Sequence, residues 1–124
     1  MIAGLGTDMI EVERVATKMM KGSGFKELVF SKNEIAYCEV KANKFEHYAA
    51  RFSAKEAFFK ALGTGWLNGT AFNEIEIIND EMGKPYFNFL GATAILIETL
   101  NLKNIAVSLT HLKTIASAIV IIEK

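Results

Sequence analysis

From Phe45 to Leu62 the chain contains neither glycine nor proline and is dense in Ala, Lys, Glu and Phe. One long helix is the only element such a stretch forms without strain. Ala54, Ala57, Phe58, Ala61 and Leu62 recur at helical spacing and predict its buried stripe, and Gly63-Thr64-Gly65 ends it. A chain of 124 residues is long enough for a real core and too short for two, so residues 1–124 are expected to form one domain.

The flanking segments are short. Ile2 to Met9 predicts a strand in which Gly4 and Gly6 let something approach the backbone closely and whose end presents Asp8. Val12, Val15, Ala16 and Met19 predict a helix, ended by Gly22-Ser23-Gly24. Ser31 and Glu34 make a capping box ahead of Ile35, Cys38 and Ala42. Ile75 to Ile78 and Pro85 to Phe89 flank a turn-rich Asn79–Lys84 and predict a hairpin, with Pro85 opening the returning strand. Ala92 to Leu100 predicts a short helix, and Ile105 to Thr110 and Ile115 to Glu123 a last pair of strands. This order favours an α+β domain in which a mixed, mainly antiparallel sheet packs with one long and several shorter helices.

Several function classes fall away. Fourteen Lys+Arg balance fourteen Asp+Glu, which argues against a protein held to nucleic acid by bulk positive charge. A single cysteine, Cys38, cannot form an intrachain disulfide, and two histidines cannot build a zinc cluster, so a reducing, cytoplasmic setting is expected. The first residues lack a signal peptide's charged start, and apolar runs such as Ala118 to Ile122 are far too short to span a bilayer. A soluble protein without a membrane partner is expected. At 51% apolar residues the chain is rich for its size, so part of its surface is expected to be covered by another subunit. Met9 and Asn68 stand where a dinucleotide fingerprint needs its third glycine, and no Gly-Lys-Ser/Thr occurs.

What remains is a set of acids and cations. Asp8 follows an apolar strand and two glycines; it either caps the next helix or presents a carboxylate beside exposed N–H groups. Glu56 and Lys60 share a face of the long helix, with Phe52 a turn earlier and Arg51 and Lys55 on the neighbouring stripe. That face is either a solvated ion pair or a place where a metal and phosphates meet, since Mg²⁺ commonly takes one or two carboxylates plus substrate oxygens. His111 ends a strand, and Arg14, Lys18 and Lys21 line one face of the first helix. That cationic stripe is either a solvated face or a dock for an acidic partner.

The segment Arg51-Phe-Ser-Ala-Lys55-Glu56-Ala-Phe-Phe-Lys60-Ala-Leu-Gly63-Thr-Gly65 closely resembles the bacterial holo-acyl-carrier-protein synthases, the small class of 4′-phosphopantetheinyl transferases. Gly4-Leu-Gly6-Thr-Asp8-Met-Ile-Glu-Val-Glu-Arg14, Gly83-Lys84-Pro85 and Val107-Ser108-Leu-Thr-His111 agree in order and spacing, so the likeness spans nearly the whole chain. Leu112 departs from it, being apolar where members often carry a polar residue. The resemblance implies the 4′-phosphopantetheinyl transferase fold and transfer of 4′-phosphopantetheine from coenzyme A to a serine of apo-acyl-carrier protein, releasing adenosine 3′,5′-bisphosphate, for fatty acid biosynthesis. It further implies Mg²⁺ on Asp8 and Glu56, and Lys60 on a phosphate. Arg51, Lys55, Gly63 and Thr64 are then expected to hold the nucleotide portion, and Lys84 and Pro85 its rim. His111 is expected at a phosphate or ribose, contributed from a neighbouring subunit. Arg14, Lys18 and Lys21 would face the acidic carrier protein, within a homotrimer whose sites lie between subunits. The general base stays open between Glu56 and a neutral Lys60.

Two other readings compete. An RNA-binding module would place the aromatics of Tyr86-Phe87-Asn88-Phe89 on an exposed sheet. A degenerate transferase kept as a structural subunit would be expected to have lost Asp8, Glu56 or Lys60; all three are intact.

Overall fold

A computed structural model describes residues 1–124. Its elements in chain order are β1 (Ile2–Glu11), α1 (Val12–Met20), α2 (Phe25–Val29), α3 (Lys32–Glu39) and α4 (Lys44–Leu62). A 3-10 turn (Phe72–Glu74) then leads to β2 (Ile75–Asn79), β3 (Pro85–Phe89), α5 (Gly91–Glu98), β4 (Asn104–His111) and β5 (Ile115–Glu123). Ser31 caps α3 through the expected reciprocal box: its hydroxyl accepts from Glu34 N–H while the Glu34 carboxylate accepts from Ser31 N–H. The five-residue α2 was not expected. It starts from Gly24 in the left-handed region, φ 84°, and is too short to leave a periodic signature.

The mixed sheet expected from the sequence is instead two separate antiparallel sheets, β1-β5-β4 and β2-β3. No parallel pair forms, because β5 returns alongside both β1 and β4 in opposite direction and takes the central place. The helix α4 is buried on most sides, from Tyr48 and Ala49 through Phe58, Phe59 and Ala61, as a central helix should be. It divides two clusters of core residues. One joins Phe58, Phe59, Ile75, Ile77, Val120 and Ile122; the other joins Val15, Phe30, Cys38 and Tyr48 under α1 to α3.

Strand β1 crosses α4 on a seam of small residues. A Cβ added at Gly4 would strike the Ala61 carbonyl, and one at Gly6 the Ala57 carbonyl. Two residues of strand advance about 6.8 Å and four residues of helix about 6 Å, so the two ladders stay in step. The next rung is Asp8 against Ser53, whose hydroxyl donates to Asp8 Oδ2 at 3.0 Å. Close backbone approach at two glycines thereby delivers a carboxylate to the surface of α4.

Phe87 and Phe89 turn inward onto Phe58, with ring centroids 5.3 and 5.2 Å away. These rings are spent on the core, which removes the exposed stacking platform that an RNA-binding reading requires. No helix is long and apolar enough to cross a membrane.

Candidate active site

Asp8, Glu56 and Lys60 converge. Lys60 Nζ donates to Asp8 Oδ1 at 3.1 Å; the Asp8 side chain is 15% exposed and that of Lys60 54%. The backbone of Asp8 is fixed as well, its carbonyl accepting from the Ser117 hydroxyl at 2.9 Å. Lys60 therefore pairs across to β1 rather than forming a plain i, i+4 pair with Glu56. Burial first, and the Asp8 carboxylate second, push the Glu56 carboxyl above its usual range, while Lys60 and Lys18 pull it back. Two carboxylates that repel each other beside one half-exposed ammonium are the donor pair on offer to a cation. No third acidic, histidine or cysteine side chain joins them to complete a ligand cluster. An oxygen-only donor pair that leaves most positions to water and substrate oxygens fits Mg²⁺.

The residues expected around a nucleotide are separated. Arg51 precedes Glu56 by five residues, and at ~100° per residue that turns it about 140° around α4. Gly63 and Thr64 lie twelve and thirteen residues beyond Arg51, about 18 Å or more along the axis. There Gly63 caps the helix with φ 80°, and Thr64 lines an apolar cavity with Ala3, Leu67 and Ile122. Within one chain, no single nucleotide moiety spans both ends of the helix.

Lys55 leaves the set altogether. Its side chain is fully buried, and its ammonium donates to Glu34 Oε1 (2.7 Å), the Phe72 carbonyl (2.8 Å) and the Ile75 carbonyl (2.7 Å). All three protons are committed, so none is left for a phosphate. Burial drives this ammonium below the usual lysine range, against the pull of Glu34. Glu34 also accepts from Ile77 N–H at 3.0 Å, and Glu76 accepts from Ser31 Oγ at 2.7 Å and Asn88 Nδ2 at 2.9 Å. The network ties α3, α4 and the β2-β3 hairpin together. Spacing alone could not distinguish this inward lysine from an outward one, because the burial is set by α3 and β2.

Arg51 keeps company with the hairpin. Its Nη2 donates to Asn79 Oδ1 at 2.6 Å, its guanidinium carbon lies 4.1 Å from the Tyr37 ring centroid, and its Nε is buried without an acceptor. Asn79 pairs with Pro85 across the hairpin. The turn between them is wound on Asp80, whose Oδ1 accepts from Met82 and Lys84 N–H, both at 2.9 Å. Lys84, Pro85 and Arg51 are thus grouped, and a concavity lined by Tyr37, Arg51, Asn79, Asp80 and Gly83 opens beside them. His111 Nδ1 lies 2.8 Å from Glu46 Oε1, and its ring is 4.9 Å from that of His47. Arg14, Lys18 and Lys21 line one shallow exposed depression on α1 together with Glu11, Glu13 and Thr17.

The sequence reading missed Ser53, Tyr37, Glu46, His47 and Asn79. Ser53 and His47 carried a signal, Ser53 being one helical turn before Glu56 and Ala57 and His47 one turn before Arg51.

A sequence model of the 4′-phosphopantetheinyl transferase superfamily matches residues 4–115. The chain is 46% identical over 124 residues to a holo-[acyl-carrier-protein] synthase of Solibacter usitatus, covering 99% of each chain. Its fold is similar to the crystal structure of the Neisseria meningitidis holo-[acyl-carrier-protein] synthase, with TM-score 0.91, 31% identity and all of both chains covered. It is likewise similar to the Bacillus anthracis synthase solved in complex with CoA (3′,5′-ADP), with TM-score 0.82, 33% identity and coverage of 100% of this chain and 98% of the other.

Proposed function

The chain belongs to the 4′-phosphopantetheinyl transferase superfamily, among its holo-acyl-carrier-protein synthases, and from that premise we propose the reaction it performs: transfer of 4′-phosphopantetheine from coenzyme A to a serine hydroxyl of apo-acyl-carrier protein, releasing adenosine 3′,5′-bisphosphate, in cytoplasmic fatty acid biosynthesis. The observation that carries this reading is the meeting of Asp8, Glu56 and Lys60 at the β1–α4 seam.

Asp8 and Glu56 would hold Mg²⁺, which when bound supplies charge neutralisation and orientation to the diphosphate. Lys60, more than half exposed, is free to exchange Asp8 for a phosphate oxygen as charge builds there. The proton acceptor for the serine hydroxyl stays open between Glu56 and a neutral Lys60.

Arg51, Lys84, Pro85 and His111 would hold the nucleotide. Because Arg51 and Glu56 point to different sides of α4, a chain cannot close both around one ligand, and a neighbouring subunit would complete the site. The outer face of the β1-β5-β4 sheet supports this assembly. Leu5, Met9, Ile115 and Ile119 are exposed there, an apolar surface that a homotrimer would cover. Arg14, Lys18 and Lys21 remain accessible at the depression on α1 and would orient an acidic carrier protein on its approach.

The test is mass spectrometry of an apo-acyl-carrier protein incubated with this protein, coenzyme A and Mg²⁺. The expected result is a phosphopantetheine adduct, reduced about 100-fold or more in rate for Glu56→Gln. An unmodified carrier under every divalent ion tried would overturn the proposal.

A further inference from the structure

The nucleotide-side residues stand on an aromatic bridge that nothing in the transfer chemistry itself demands. The Arg51 guanidinium carbon lies 4.1 Å from the Tyr37 ring. The Tyr37 ring meets that of His47 at 5.7 Å and 74°, and His47 meets His111 at 4.9 Å and 63°. The far end is anchored by Glu46 at 2.8 Å from His111 Nδ1. With Nδ1 turned to a carboxylate, Nε2 is the His111 nitrogen left to meet a ligand. His47 and Arg51 are one turn apart on α4, whereas Tyr37 comes from α3 and His111 from the end of β4.

We propose that Tyr37 and His47 are positioning residues that hold Arg51 and His111 as one two-pronged grip on a phosphate of the nucleotide. The proposal rests on the nucleotide reading given above. A free arginine side chain would lose much rotamer freedom on binding an anion. Stacked on Tyr37 and tied to Asn79, Arg51 has lost it beforehand, and its buried Nε has no acceptor of its own. His47 fills the gap between the prongs. The charged groups around it are Arg51 and Glu46 from α4, Lys41 from the turn before it and His111 from β4. Together with burial, the largest influence, they leave its imidazole with a lowered pKa. It is therefore a neutral spacer between the two prongs rather than a further charge.

Steady-state kinetics on the intact enzyme separate the possibilities. His47→Leu and Tyr37→Leu are expected to raise the KM for coenzyme A about five- to thirtyfold while kcat and the KM for carrier protein stay within about twofold. Restoring a ring with His47→Phe or Tyr37→Phe is expected to recover most of the coenzyme A affinity. The inference is overturned if the leucine variants leave that KM unchanged. It is equally overturned if they lower kcat and affinity for both substrates together with the thermal midpoint, or if the Phe variants rescue nothing. Arg51→Gln and His111→Gln test the underlying reading separately. If neither weakens binding of adenosine 3′,5′-bisphosphate, the nucleotide does not sit there, whatever the ring variants do.

Discussion

Glu56 is the residue on which fold and chemistry pull in opposite directions. Its carboxyl is held above the ordinary range by burial and by Asp8, so the folded chain binds that proton more tightly than the unfolded chain does. At pH values above both, ionised Glu56 costs stability, and the cost fades as pH falls through the raised value. Glu56→Gln is therefore expected to leave the thermal midpoint unchanged or slightly higher while transfer is lost, a trade of stability for function. A clear drop in midpoint on calorimetry would contradict this assignment of its surroundings. The same proton competes with a bound cation, so the Mg²⁺ concentration needed for half-maximal activity should rise as pH is lowered through the upper carboxylate range. Strand end and helix spacing put Asp8, Glu56 and Lys60 each on a definite face, and the family resemblance singled the three out for chemistry. That Lys60 pairs with Asp8 rather than with Glu56 was not legible in the sequence, since residues 52 positions apart meet only when β1 lies on α4.

At the scale of elements, two contacts fix where those faces lie. The β1–α4 seam admits no side chain at Gly6, whose added Cβ would meet the Ala57 carbonyl. Gly6→Ala must push the strand off the helix at a cost of about 3 kcal/mol, and denaturant titration should show that loss together with a fall in activity as Asp8 moves. The buried Lys55–Glu34 pair holds α4 to α3, with Glu34 reaching on to β2 through Ile77 N–H. Lys55→Met strands the Glu34 carboxylate in the core and should cost about 3–5 kcal/mol, whereas replacing both partners by apolar residues should recover a large part of it. Equal losses for the single and double replacements would show that the pair is not coupled. The capping box at Ser31 was readable because its partners are three residues apart; the second duty of its members, Ser31 to Glu76 and Glu34 to Lys55, was not, because those partners are 45 and 21 residues away.

The whole molecule bears on how many chains make one site. Arg51 and Glu56 diverge around α4, and an apolar face lies open on the side of the β1-β5-β4 sheet away from α4. If neighbours complete each pocket, Glu56→Gln and Arg51→Gln are each inactive alone, yet mixed trimers should contain pockets with both residues intact. Reassembling the two variants together should restore activity to about a quarter of wild type or less, read against each variant reassembled with itself; no recovery would place both residues in a site built from one chain. Beyond the family resemblance that singled out Asp8, Glu56 and Lys60, the sequence by itself determined the local outcomes: the long helix and its glycine stop, the capping box, and the hairpin opened by Pro85. These follow from backbone sterics and from side-chain spacing, which act over a few residues. The tertiary structure alone decided that the sheet splits in two, that Lys55 is sealed inside while Arg51 is left beside a concavity, and that Asp8 lands on Ser53 and Lys60. Those depend on which distant surfaces come to exclude water together, and a periodic pattern records only that a face is buried, never what it is buried against.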